Sequence, residues 1–83
     1  MTILDFVKAF PCCRMRLDFN HIDPEGNLEH DEEYSYTGST DRFEERMAGY
    51  DWLFDIELSD PSVIRVRASR ITRKLEIRIE YEH

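Results

Sequence analysis

At 83 residues and 10.0 kDa, the chain has room for one domain (residues 1–83), which excludes two-domain enzymes and the larger superfolds. Chains of this size bury only about 60% of the surface they expose when unfolded, so the core is small and stability marginal. Eighteen acidic against 11 basic residues leave a net charge of −7, which argues against direct binding of nucleic acid or of an anionic membrane. With 41% hydrophobic and 12% aromatic residues, there is enough apolar material to fold, so the acidity does not signal disorder.

In chain order, Thr2 followed by Asp5 reads as a capping box, and Ile3, Phe6, Val7 and Phe10 form one helical stripe that Pro11 stops. From Cys13 the period changes to two. Cys13, Met15, Leu17 and Phe19 face one way and Arg14, Arg16 and Asp18 the other, as in a half-buried strand. Asp23-Pro-Glu-Gly-Asn27 is a turn, from which a second strand, roughly 28–37, returns through Tyr34 and Tyr36. Ser39-Thr40-Asp41 opens a short helix. Phe43 and Met47 pair on it at i,i+4, and Gly49 ends it. Alternation then predicts a third strand over 50–58, with Tyr50, Trp52, Phe54, Ile56 and Leu58 inward and Leu53 on the outer face. A fourth strand places Ile64, Val66 and Ala68 inward, and a fifth places Leu75, Ile77, Ile79 and Tyr81 inward. The expected fold is a single α+β domain in the order α-β-β-α-β-β-β, a mostly antiparallel sheet of about five strands with one or two short helices.

The outward charges suggest a register. Pairing Ile56 with Val66 sets Glu57 opposite Arg65 and Asp55 opposite Arg67, each such pair contributing roughly 0.2–1 kcal/mol. The C-terminal arginines are thereby expected to form a salt-bridged outer face.

Adjacent Cys12 and Cys13 would point to opposite faces of a strand, so a bridge between them is disfavoured; a buried Cys13, an exposed reduced Cys12 and a cytoplasmic setting are expected. No basic leader segment and no run of about 20 apolar residues is present. The histidines and acids from His21 to Glu33 lack the convergent spacing of a zinc site. A calcium loop beginning at Asp23 would need its glycine two residues beyond Gly26 and a glutamate where Tyr34 stands. No metal or cofactor is therefore expected. No nucleophile elbow, phosphate loop or dinucleotide fingerprint occurs, and no enzymatic activity is expected.

What stands out is charge density. Residues 18–60 carry a net −12, flanked by +2 in residues 1–17 and +3 in residues 61–83. Such crowding costs stability through self-repulsion, and one use for it is to meet a basic partner with steered association. Asp23, Glu25, Glu29, Asp31, Glu32, Glu33, Asp41, Glu44 and Glu45, carried on a turn and a short helix, are the candidate partner-binding residues.

The opening Thr2-Ile-Leu-Asp-Phe-Val-Lys-Ala-Phe-Pro11, the hairpin, the acidic segment and the closing strands are similar to small proteins of phages and mobile elements in Firmicute-like bacteria. Size, acidity and the mixed α/β plan resemble anti-CRISPR proteins. That resemblance implies a non-enzymatic inhibitor, monomer or homodimer, in the cytoplasm of a bacterial host cell, that blocks the basic nucleic-acid channel of a CRISPR effector by mimicking DNA. An immunity or antitoxin-type protein neutralising a cognate toxin, or a small structural accessory subunit, is the alternative.

Overall fold

The computed structural model describes residues 1–82. The chain opens on α1 (Ile3–Lys8), where the Thr2 side chain accepts from the Asp5 amide and the Asp5 carboxylate accepts from the Thr2 amide. This reciprocal cap satisfies two amides that a helix start leaves without partners. Ile3 and Val7 are buried beneath α1, while Phe6 and Phe10 pack at its margin.

Five strands build one sheet: β1 (Arg14–Ile22), β2 (Leu28–His30), β3 (Tyr36–Ser39), β4 (Val63–Ser69) and β5 (Lys74–Glu82). Between β3 and β4 come a 3-10 turn (Thr40–Arg42), α2 (Phe43–Arg46) and α3 (Asp51–Phe54). The sheet order is β2-β1-β5-β4, with β3 pairing the first half of the β1 edge whose second half β2 occupies. All pairs are antiparallel except the central one: β1 and β5 run parallel from Arg14↔Lys74 to Ile22↔Glu82. Met15, Leu17 and Phe19 on β1 and Leu75, Ile77 and Ile79 on β5 are buried against the helices. Among the described residues no helix covers the opposite face of the sheet, where Arg14, Arg16 and Lys74 are exposed.

The α+β class and the five-strand sheet agree with the sequence reading, but two elements do not. The expected strand over 50–58 is instead α3 and its flanks, with only an isolated antiparallel bridge between Thr2 and Glu57. Leu53, expected outward, is fully buried, and Trp52 is 44% exposed. Tyr50, Leu53 and Phe54 stand at i, i+3 and i+4, a helical spacing that the aromatic alternation masks. Phe54 meets Phe43 edge-on at 5.4 Å, locking α3 to α2.

The expected single strand over 28–37 is two strands. At the break, the Asp31 carboxylate accepts from the Glu33 and Tyr34 amides, and Ser35 Oγ accepts from the Phe19 amide. Side chains thus replace the ladder where the acids Glu29–Glu33 would crowd a straight strand.

The register proposed for 50–58 is absent. Val66 lies opposite Ile77, and Arg67 opposite Glu76. Glu57 instead meets the amino terminus at 2.9 Å. A register shift between Val63 and Arg65 turns Ile64 outward, leaving it 51% exposed. β4 is an edge strand, and its Arg65 and Arg67 are the kind of charge that blunts edge-to-edge pairing.

The helical placement of α3 is checked by denaturation of two variants. Leu53→Ala is expected to cost about 2–5 kcal/mol and Trp52→Ala less, the reverse of what a strand over 50–58 demands.

Candidate functional site on the acidic surface

The candidate acids fall into three groups. The first lies on the β1–β2 hairpin. Asp23 accepts from the Glu25 and Asn27 amides at 2.9 and 2.8 Å, and Gly26 takes φ +85°, a conformation that L side chains resist. Amide donation, from Asn27 foremost, holds the Asp23 carboxyl below its ordinary pKa. Asp23 therefore serves the turn, whereas Glu25 and Glu29 are exposed.

The second group is the break between β2 and β3. Asp31 pairs with His21 as well as capping the local turn. Glu33 accepts from Tyr50 Oη at 2.9 Å, which pushes the tyrosine hydroxyl above its ordinary pKa. Glu32 projects into solvent. Tyr34 anchors this segment edge-on against Phe19, Tyr50 and Trp52.

The third group sits by α2. Asp41 accepts from the Cys12 amide at 3.1 Å, holding Cys12 at φ 58°. Glu44 meets Lys8 at 3.2 Å and Glu45 meets Arg42 at 3.9 Å, both as exposed pairs of small energetic weight. Thr40, next to Asp41, bonds to the Cys13 backbone at the start of β1, whereas the hairpin closes at its end. Nine residues of strand at about 3.3 Å each put roughly 25 Å between the two ends. The structure therefore brings Asp23, Glu25 and Glu29 together near the Asp31–Glu33 turn and leaves Asp41, Glu44 and Glu45 at the other end.

Among the described residues, Glu25, Glu29 and Glu32 are exposed and enter no ion pair. Of the nine candidate acids they are the ones whose carboxylates combine exposure with the absence of any hydrogen bond or ion pair given above.

Asp18 lies between His30 Nδ1 (2.9 Å) and Arg78 (3.5 Å). The cysteines are free, Cys13 buried and Cys12 exposed, as the sequence suggested. The Cys12 thiol is pushed above its ordinary pKa, chiefly by its hydrogen bond to Asp41, so the thiolate is disfavoured. Among the described residues no group of three or more histidine, cysteine or acidic side chains is placed to hold a metal ion, and no helix is long and apolar enough to cross a membrane.

What the sequence reading missed is the fate of the C-terminal arginines. Arg65 reaches Glu76 and Arg78 reaches Asp18, but Arg67 stays outside any ion pair among the described residues. The +2 and +3 totals of the chain's two ends were the available signal; that β1 and β5 lie side by side was not readable from them. Comparisons with protein-family models, with curated proteins and with solved structures each return no match.

The Asp23 turn makes stability depend on acid pH. A carboxyl held below its ordinary value of 3.8 contributes stability that is present above that value and lost as pH falls through the folded one. Asp23→Asn keeps an acceptor oxygen for the turn and removes the proton linkage. Urea midpoints between about pH 5 and pH 2 are expected to fall less steeply in the variant than in the parent.

Proposed function

We propose that the chain is a non-enzymatic protein-binding inhibitor whose acidic surface occupies a basic nucleic-acid-binding channel. The resemblance to anti-CRISPR proteins makes a CRISPR effector the partner of choice. The observation that carries this reading is the set of exposed, unmatched carboxylates Glu25, Glu29 and Glu32, presented on a short hairpin and a side-chain-braced turn.

Two physical points support it. The supporting backbone is held by Asp23 and Asp31 before any partner arrives, so little ordering entropy is lost on docking. The acidic segments also lie along the β1 edge and the helical layer, so a cationic channel can meet hairpin, turn and α2 in succession. Carboxylates arrayed this way substitute for phosphates electrostatically and favour fast, salt-sensitive association.

The test is competition between this protein and labelled target DNA for purified guide-loaded CRISPR effectors. DNA is expected to be displaced at low salt, with affinity for the inhibitor falling tenfold or more between about 50 and 200 mM salt. Glu32→Lys combined with Glu33→Lys is expected to weaken binding about tenfold, the equivalent of roughly 1.4 kcal/mol. Glu44→Lys with Glu45→Lys should do less, because Lys8 and Arg42 already offset that pair. Affinity unchanged in both double variants, or no displacement from any effector at low salt, removes the reading.

A further inference from the structure

The face of the sheet that no helix covers holds a second charged feature of opposite sign. Parallel pairing places Arg14 beside Lys74 and Arg16 beside Glu76, and the β4–β5 register adds Arg67 opposite Glu76. Alternation along the strands turns all of these side chains to the same face, away from Met15, Leu75 and Ile77 in the core. They line an open groove of about 710 Å³, to which Thr37, Ser69 and Thr72 contribute hydroxyl groups. Groove-sized ligand sites span about 300–1,000 Å³.

Arg14, Arg16, Arg67 and Lys74 enter no ion pair among the described residues. The one carboxylate in the groove, Glu76, is engaged at 3.3 Å by Arg65 from outside it. Arg14 and Lys74 are like charges side by side on neighbouring strands, an arrangement that opposes pairing. The folded chain thus concentrates four cations outside any ion pair among its described residues, although it carries seven more negative charges than positive ones.

We infer that this groove is a binding site for a small polyphosphate-bearing molecule, one with three or four negative charges on adjacent phosphate groups. Four cations set against Glu76 match that charge. Guanidinium forks and hydroxyl donors suit the several acceptor oxygens of each phosphate better than they suit a flat carboxylate. A nucleic-acid strand is a poorer occupant. No aromatic side chain lines the groove to stack a base, and the net charge of the whole molecule repels an extended polyanion. A compact ligand meets chiefly the local charges of this face, whereas an extended polyanion also meets the acids beyond it.

The experiment is a titration of the full chain with inorganic tripolyphosphate, followed by amide chemical shifts and by thermal midpoint. The expected result is saturable shifts centred on Arg14, Arg16, Arg67 and Lys74, and a midpoint that rises with ligand. Arg16→Gln with Arg67→Gln should weaken binding about tenfold or more, as loss of charge-assisted bonds requires. Glu25→Lys with Glu29→Lys should leave it within about twofold, because the hairpin closes at the end of β1 far from Arg16 and Arg67. Lys74→Gln guards against misfolding as an explanation. It relieves the repulsion with Arg14, so without ligand it should melt no lower than the parent, while its ligand-induced rise should shrink. Absence of shifts at millimolar tripolyphosphate overturns the inference. So does sulfate at equal ionic strength reproducing the shifts, or an oligonucleotide binding the same residues more tightly than tripolyphosphate.

Discussion

The parallel pairing of β1 with β5 is the constraint on which the rest of the molecule depends. It runs over nine residue pairs from Arg14↔Lys74 to Ile22↔Glu82 and supplies most of the buried sheet surface, with Leu17 and Phe19 beside Ile77 and Ile79. Each such side chain contributes about 1.5–3 kcal/mol when fully buried. In a domain this small, that central pair supplies a large share of the burial that opposes chain entropy. Every other element is arranged around it: β2 and β3 share one flank, β4 takes the other, and the helices close one face.

The same pairing sorts the charges. It draws the two mildly basic ends of the chain into adjacent strands and turns their arginines and lysine to the uncovered face, while the acidic middle is displaced onto the hairpin, the β2–β3 turn and the helical layer. A strongly acidic protein thereby acquires a local cationic groove. The hairpin acids lie at the far end of β1 from the groove, whereas Glu32 of the β2–β3 turn borders it, sharing a smaller pocket with Arg16 and Thr37.

How much of this could be read from the sequence followed from the distance over which each signal acts. The capping box of Thr2 and Asp5, the alternation from Met15 to Phe19, the Asp23–Asn27 turn and the buried run Leu75, Ile77 and Ile79 are set by neighbours, and all stand in the structure. Residues 50–58 fit two periods at once. The helical one prevails because Leu53 and Phe54 can then both enter the core beside Phe43. For the candidate site, Glu25 was legible as part of the Asp23–Asn27 turn, but the break in the strand expected over 28–37, where Glu32 lies, and the separation of the α2 acids from the hairpin depend on tertiary placement. The cationic groove was the least legible feature, since a strand register that brings residue 14 beside residue 74 leaves no trace in local pattern.

That register also has a kinetic meaning. Partners in β1 and β5 are 60 residues apart along the chain, so the loop between them must close before the central contacts repay its entropy, and contacts of such long range slow folding. The β1–β2 hairpin is local in sequence, yet the β1 edge that β5 fills has no strand partner until residues 74–82 arrive. During synthesis the chain is therefore committed to waiting: β5 must be available before the sheet's centre exists, and a truncation that removes it leaves β4 a strand with no neighbour and strips Leu75, Ile77 and Ile79 from the interior.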